Sequence, residues 1–362
     1  MSKKHYIIPI FVPHEGCPHN CVFCNQNTIT GVSNEINADF VQSTVEEYLN
    51  TIDQNNAIVE VSFFGGTFTA IDINKQKELL SSVRKYKETG RINYIRLSTR
   101  PDYIDDKILS NLKENLVDII ELGVQSMDED VLKQSGRGHS SNDVVKASNL
   151  IKEFGFVLGH QIMIGLPGDT FEKDIYTVKN IIELTPDMCR IYPALVIKNT
   201  PMETLYYNGI YKPYTLNEAI EISKILYIML ISNNINVIRI GLQPTEEINE
   251  GGEIAAGPFH PAFRELVESK ILNEMILNEC PKNFTEQLFI KLNSRDLSKL
   301  FSNGKKFFSD IKKQLPTQNI KIIQDDNINR GSFILKCNEF CKNLSFYDYI
   351  NKTYKEGYFN IL

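Results

Sequence analysis

The chain has 362 residues, 42% hydrophobic and 23% charged, with 39 basic and 45 acidic side chains for a net charge of −6. That length holds one large domain or two medium ones, with enough chain to bury a core without disulfide staples. The mild acidity argues against a surface that is a nucleic-acid footprint throughout, and no apolar run is long enough to span a bilayer, so no membrane partner is expected.

Short apolar runs alternate with longer amphipathic ones from residue 6 to 243. The runs 6–12, 58–63, 92–98, 117–124, 156–164 and 188–195 read as strands. Between and after them, 39–51, 73–88, 105–113, 141–154, 171–184 and 216–232 read as helices. Nearly continuous apolar strands separated by helices mean parallel βα units. The expected fold is α/β, a partial or full (β/α) barrel over residues 1–243, with a doubly wound open sheet as the alternative that periodicity leaves open. Residues 244–284, which open on a Gly-, Pro- and Glu-rich stretch, read as a linker or lid. Residues 285–362 read as a small α+β module in the order β-α-α-β-β-α.

Seven cysteines is an odd number, and Cys17, Cys21 and Cys24 form a CxxxCxxC run just past the first strand. Thiols so clustered read as metal ligands in a reducing cytoplasm, not as a disulfide scaffold. The spacing suits either zinc or an iron–sulfur cube, both of which take four ligands; with three cysteines, one iron of a cube stays open. His14, His19, Cys337 and Cys341 are candidates for a fourth ligand.

Polar groups recur at successive strand ends. Gly65, Gly66 and Thr67 follow the second strand, where paired glycines let backbone approach a ligand. Ser98 closes the third strand, Glu121 and Gln125 the fourth, with Arg137 in the next loop and Gln161 on the fifth. All fall on the face where a barrel carries its active site. Around a substrate, His139, His160, Tyr192 and Glu121 are the available polar groups, and Tyr192, at the end of the sixth strand, is the best placed.

The CxxxCxxC run and the Gly-Gly motif together resemble the radical S-adenosylmethionine (radical SAM) superfamily over roughly residues 6–243. The stretches FFGGTF, LSTRPDYI, ELGVQS, GRGH and RIYPALVIKNTPM resemble the catalytic subunit family of Elongator, without its acetyltransferase domain. The resemblance implies that Cys17, Cys21 and Cys24 hold a [4Fe–4S] cluster that cleaves S-adenosylmethionine to a 5′-deoxyadenosyl radical, which takes hydrogen from the substrate. It implies that Gly65, Gly66 and Thr67 meet the methionine amino group and that Arg137 pairs with its carboxylate. Ser98 and Gln125 would lie near ribose and methionine, and Phe23 along the adenine. Gln161 stands where the coproporphyrinogen oxidases carry an acid that contacts the ribose. A one-electron reductant of the flavodoxin or ferredoxin type is the implied partner.

Between Phe284 and Lys342 there are eleven basic and six acidic residues, so this stretch is at +5 and the remainder at −11. Its element order resembles a K-homology domain, which grips RNA with a GxxG loop. The corresponding turn here, Ser302-Asn303-Gly304-Lys305, has one glycine. The favoured substrate is a transfer-RNA base, with the tail as an RNA contact. A tetrapyrrole or small-molecule oxidase resembling coproporphyrinogen oxidase is the first alternative. A zinc-containing RNA-binding protein without redox chemistry is the second.

Overall fold

The computed structural model describes residues 4–12, 19–25, 36–244, 248–249, 251–284 and 286–357. The first βα units are β1 (Lys4–Phe11), α1 (Ala38–Leu49), β2 (Ala57–Phe64), α2 (Ile73–Glu88), β3 (Tyr94–Thr99) and α3 (Asp106–Glu114). Next come β4 (Ile119–Gln125), α4 (Glu129–Gln134), α5 (Ser141–Glu153), β5 (Val157–Ile164) and α6 (Phe171–Leu184). The series ends with β6 (Met188–Pro193), β7 (Val196–Ile197), α7 (Pro201–Tyr207), α8 (Leu216–Ser232), β8 (Asn236–Ile240) and β9 (Ile254–Ala256).

Polar caps start these helices. The Asp72 side chain accepts from the backbone N–H groups of Asn74 and Lys75 at α2, and Ser140 and Asp143 form a reciprocal capping box at α5. Each such cap satisfies amides that the first helical turn leaves without partners.

Seven strands pair in parallel in the order β1-β2-β3-β4-β5-β6-β8. β1 and β8 are the two edges and do not pair with each other, so the barrel is partial and open on one side. Side chains alternate across the sheet. Val61, Phe63, Leu97, Leu122, Leu158, Ile162 and Ile191 point outward into the helical layer and are fully or almost fully buried. Burying such side chains stabilises the fold by roughly 1.5–3 kcal/mol each. The opposite, concave face carries Glu60, Ser62, Arg96, Ser98, Glu121, Gly123, Gln161, Arg190 and Tyr192. β8 is a strand that the sequence reading lacked.

The linker expected over 244–284 is corrected by its second half, which is a helix, α9 (Phe263–Glu279). Leu266, Val267, Ile271, Leu272, Met275 and Ile276 on it are buried. α9 packs on α8 on one side and on the C-terminal elements on another. With apolar residues on several sides it lacks the single stripe that marks an amphipathic helix.

The C-terminal region contains β10 (Leu288–Leu292), α10 (Leu297–Leu300), α11 (Lys306–Gln314), β11 (Ile320–Gln324), β12 (Ser332–Cys337), β13 (Phe340–Ser345) and α12 (Phe346–Lys355). The strand β13, a hairpin partner of β12, departs from the K-homology order expected for this tail, and β10 pairs with β11 in parallel. The sheet order is β11-β10-β12-β13. α12 packs on α8, and one hydrophobic core runs from the barrel helices through α9 into this sheet. Lys352 pairs with Glu279 at 2.8 Å and Asn278 donates to the Tyr349 hydroxyl at 2.8 Å, tying the region to α9. Among the described residues no helix is long and apolar enough to cross a membrane.

Candidate active site

The cysteine loop lies over the C-terminal ends of the strands. Cys21 is buried and Cys24 half-buried, while Cys17 lies outside the described residues. A turn is closed by Cys24 N–H donating to the Cys21 carbonyl at 3.0 Å. Two further backbone bonds clip the loop in place: Val22 N–H to Ser135 O at 3.0 Å and Met202 N–H to Val22 O at 2.9 Å. Gly138 makes the closure possible. Its φ is +76°, and a Cβ there would fall 2.4 Å from the His19 ring.

Between Gly136 and Gly138 stands Arg137. Its Nη1 donates to Cys21 Sγ at 3.4 Å and its Nη2 to the Gly123 carbonyl at 2.6 Å. Its buried Nε has no hydrogen-bond partner. Burial lowers its pKa from the usual arginine value, opposed by the neighbouring Cys21 sulfur. Arg100 braces this loop: it donates to the Arg137 carbonyl and grips Asp102 with two bonds of 2.9 Å. Burial, with Arg137 and Arg100 nearby, pushes His139 down to about 3, so its ring is neutral.

The Gly-Gly turn has φ of +80° at Gly65 and +52° at Gly66. Thr67 behind it is fully buried, and its hydroxyl lacks a partner. Gln125 also takes a positive φ, +65°, which turns its amide back over the sheet end. There it accepts from Gln161 Nε2 at 2.7 Å. A Cβ at Gly123 would sit 2.9 Å from the Gln125 amide and 3.4 Å from the Arg137 guanidinium. Ser98 is half-buried on the same face. Phe23 packs with Val22 against a separate apolar cluster that includes Leu166, Met202 and Tyr211.

Below these groups, the concave face holds a chain of charges. Arg96 pairs with Glu60 at 2.8 Å and with Glu121 at 3.3 Å. Glu121 pairs in turn with Arg190 Nε at 2.7 Å. Arg190 Nη1 donates to the Tyr192 hydroxyl at 3.2 Å, and the guanidinium lies 5.7 Å from the centre of the Phe64 ring. Arg190 is on β6 and Glu121 on β4, so their contact crosses β5. Gly159 lies between: a Cβ there would meet the Glu121 and Met188 side chains at 3.2 Å. Burial disfavours the Arg190 charge, but the Glu121 carboxylate outweighs this and its pKa is raised.

The structure therefore joins two of the residues singled out from the sequence, Glu121 and Tyr192, through one that was not, Arg190. Glu121 is engaged on both oxygens and acts on its surroundings through Arg190. His160 is absent from this face. It points into the helical layer against Ser148, at 2.9 Å, and burial holds it neutral, pushed down to about 3. Glu60 and Arg96 join the same chain without being among the candidates named from the sequence. Each is a single charge inside an apolar strand, a signal that was available.

Among the described residues, no three His, Cys, Asp or Glu side chains converge as a metal site, and Cys17 is outside that set. Residues 11–179 match the Radical SAM superfamily, and residues 186–273 match the Radical_SAM C-terminal domain. The chain belongs to the radical SAM superfamily.

Among curated relatives, it is 30% identical over 260 residues to a "tRNA uridine(34) acetyltransferase" of Methanocaldococcus infernus, covering 60% of this chain and 48% of the relative. It is 29% identical over 201 residues to "Elongator complex protein 3" of Dictyostelium discoideum, covering 50% and 36%. This radical SAM chain thus spans about half or less of the length of these relatives. The archaeal Methanocaldococcus infernus Elp3 structure, with an N-terminal deletion, superposes with a TM-score of 0.61 at 24% identity, over 76% of this chain and 64% of that one. That likeness shows a shared fold.

Proposed function

We propose that this radical SAM enzyme acts on a transfer-RNA base, with Cys17, Cys21 and Cys24 holding a [4Fe–4S] cluster. The observation that carries the cofactor reading is the buried, unpartnered Nε of Arg137, whose guanidinium also touches Cys21 Sγ; the Thr67 hydroxyl behind the Gly-Gly turn is likewise buried without a partner. Buried donors and acceptors left unpaired are costly, and at a strand-end site they mark where a ligand completes the set. Gly65, Gly66 and Thr67 offer backbone and hydroxyl to an ammonium group. Arg137 offers a fork to a carboxylate, a geometry that lysine cannot copy. Ser98, Gln125 and Gln161 line the approach to a ribose, and Phe23 supports the adenine side.

When bound, the cluster and S-adenosylmethionine supply one-electron cleavage of a carbon–sulfur bond and a 5′-deoxyadenosyl radical that abstracts hydrogen. The protein's residues supply position and exclude water. Tyr192 meets the substrate, held by Arg190, and Glu121 is a positioning residue behind both. The open side between β1 and β8 suits a polymeric substrate. The tRNA uridine(34) acetyltransferase relatives support transfer RNA, and the basic stretch 284–342 supplies a complementary surface. The setting is the cytoplasm, with electrons from a flavodoxin or ferredoxin.

The test is anaerobic. Wild-type protein is expected to be brown and to yield 5′-deoxyadenosine with dithionite. The variant carrying Cys17→Ala, Cys21→Ala and Cys24→Ala is expected to yield none, and turnover by this variant would overturn the cofactor assignment. For the substrate, a missing modified nucleoside is expected in transfer RNA from cells lacking the protein. No measurable transfer-RNA binding by the wild type would overturn the RNA reading.

A further inference from the structure

The concave face of the sheet holds more positive than negative charge. Glu60 is held by Arg96 and His5, and Glu121 by Arg96 and Arg190. A third guanidinium, Arg239 on β8, is left over. The bulge between Cys189 and Arg190 sets Arg239 in register with Arg190 on the neighbouring strand, so both face the same way. Arg190 is already committed to Glu121, the Tyr192 hydroxyl and the Phe64 ring. Arg239 is half-buried, and among the described residues it has no ion-pair or hydrogen-bond partner.

Two like charges on adjacent paired strands repel, and partial burial removes some of the water that would screen them. An anion bound between solvent and Arg239 relieves both costs. β8 is also an edge of the open sheet, one strand from Tyr192, where a long substrate enters. The strand is held firmly: Gly241 N–H donates to Ile191 O at 2.9 Å and Arg264 Nη1 to Val237 O at 2.9 Å. A planar fork on a rigid strand suits a tetrahedral oxyanion.

We propose that Arg239 anchors a backbone phosphate of the RNA substrate and so sets the target nucleotide over Tyr192. This rests on the RNA reading above. The test is binding of an unmodified transfer-RNA transcript to full-length protein across a salt series. Arg239→Gln is expected to weaken binding about fivefold and to lower the slope of log K against log salt by about 0.7–0.9. Arg239→Lys keeps the charge but not the fork, so it is expected to keep the slope and recover only part of the affinity. Thermal melts of both variants within a few degrees of wild type establish that they fold, and Arg239→Lys carries the test if Arg239→Gln does not. Wild-type binding with an Arg239→Gln slope and affinity unchanged overturns this inference and leaves the RNA reading standing. Absence of wild-type binding overturns both.

Discussion

Replacing Glu121 with glutamine tests whether the buried charges of the concave face act as one chain. The side chain is 5% exposed and contacts Arg190 at 2.7 Å and Arg96 at 3.3 Å. Arg96 keeps Glu60 at 2.8 Å, so it survives the loss. Arg190, itself 10% exposed, does not; it retains the Tyr192 hydroxyl and a ring face. Two charges about 4 Å apart attract by about 4 kcal/mol at an effective dielectric of ~20. Stranding one member of a buried pair costs about 3–5 kcal/mol, because the remaining charge stays desolvated. Glu121→Gln should therefore destabilise the apo-protein by about 3 kcal/mol, chiefly through Arg190. Adding Arg190→Met removes the stranded charge and should recover more than about 1.5 kcal/mol of that loss, a coupling expected of direct neighbours. Urea unfolding followed by circular dichroism measures all four proteins of the cycle. A single-variant cost below about 1 kcal/mol, together with additive behaviour in the double variant, would refute the chain.

Two further outcomes follow from buried polar groups. Thr67→Val keeps the volume and removes the unpartnered hydroxyl, so it should stabilise the apo-protein by about 1 kcal/mol. In cluster-loaded protein the same change should weaken S-adenosylmethionine binding about tenfold by calorimetry; loss of apo stability would contradict the assignment. Asp169 and Asp174 share a buried corner where Tyr214 donates to Asp174 at 3.0 Å. Burial raises Asp169 to about 6, and burial plus the Asp169 charge raises Asp174 well above the usual range. Folded values above unfolded ones mean that this stability is full below pH ~4 and is lost as pH rises through about 6. Wild type should lose roughly 2–3 kcal/mol between pH 4 and 7 that Asp169→Asn does not lose. Parallel pH profiles of melting temperature for the two proteins would sink the claim.

The alternation of strand and helix was legible because burial against helices demands apolar strands, and the outward residues Val61, Leu97, Leu122 and Ile191 supply them. The site's location was legible too: Gly65, Gly66 and Gln125 stand out in the sequence because they close or follow strands, and Arg137 because it sits between two glycines in the loop after α4. What stayed hidden was hidden for physical reasons. α9 is buried on several sides and shows no polar stripe, so it read as a linker. β13 and β8 are short, and β8 follows a helix with little chain between. The charge chain is the most instructive case. Glu60, Arg96, Glu121 and Arg190 are each conspicuous within an apolar strand, yet nothing in the linear spacing says which pairs with which. The pairing depends on the stagger between strands and on space above β5, which Gly159 leaves open. A glycine that looks incidental in the sequence leaves the room in which Arg190 reaches Glu121 while still holding the Tyr192 hydroxyl.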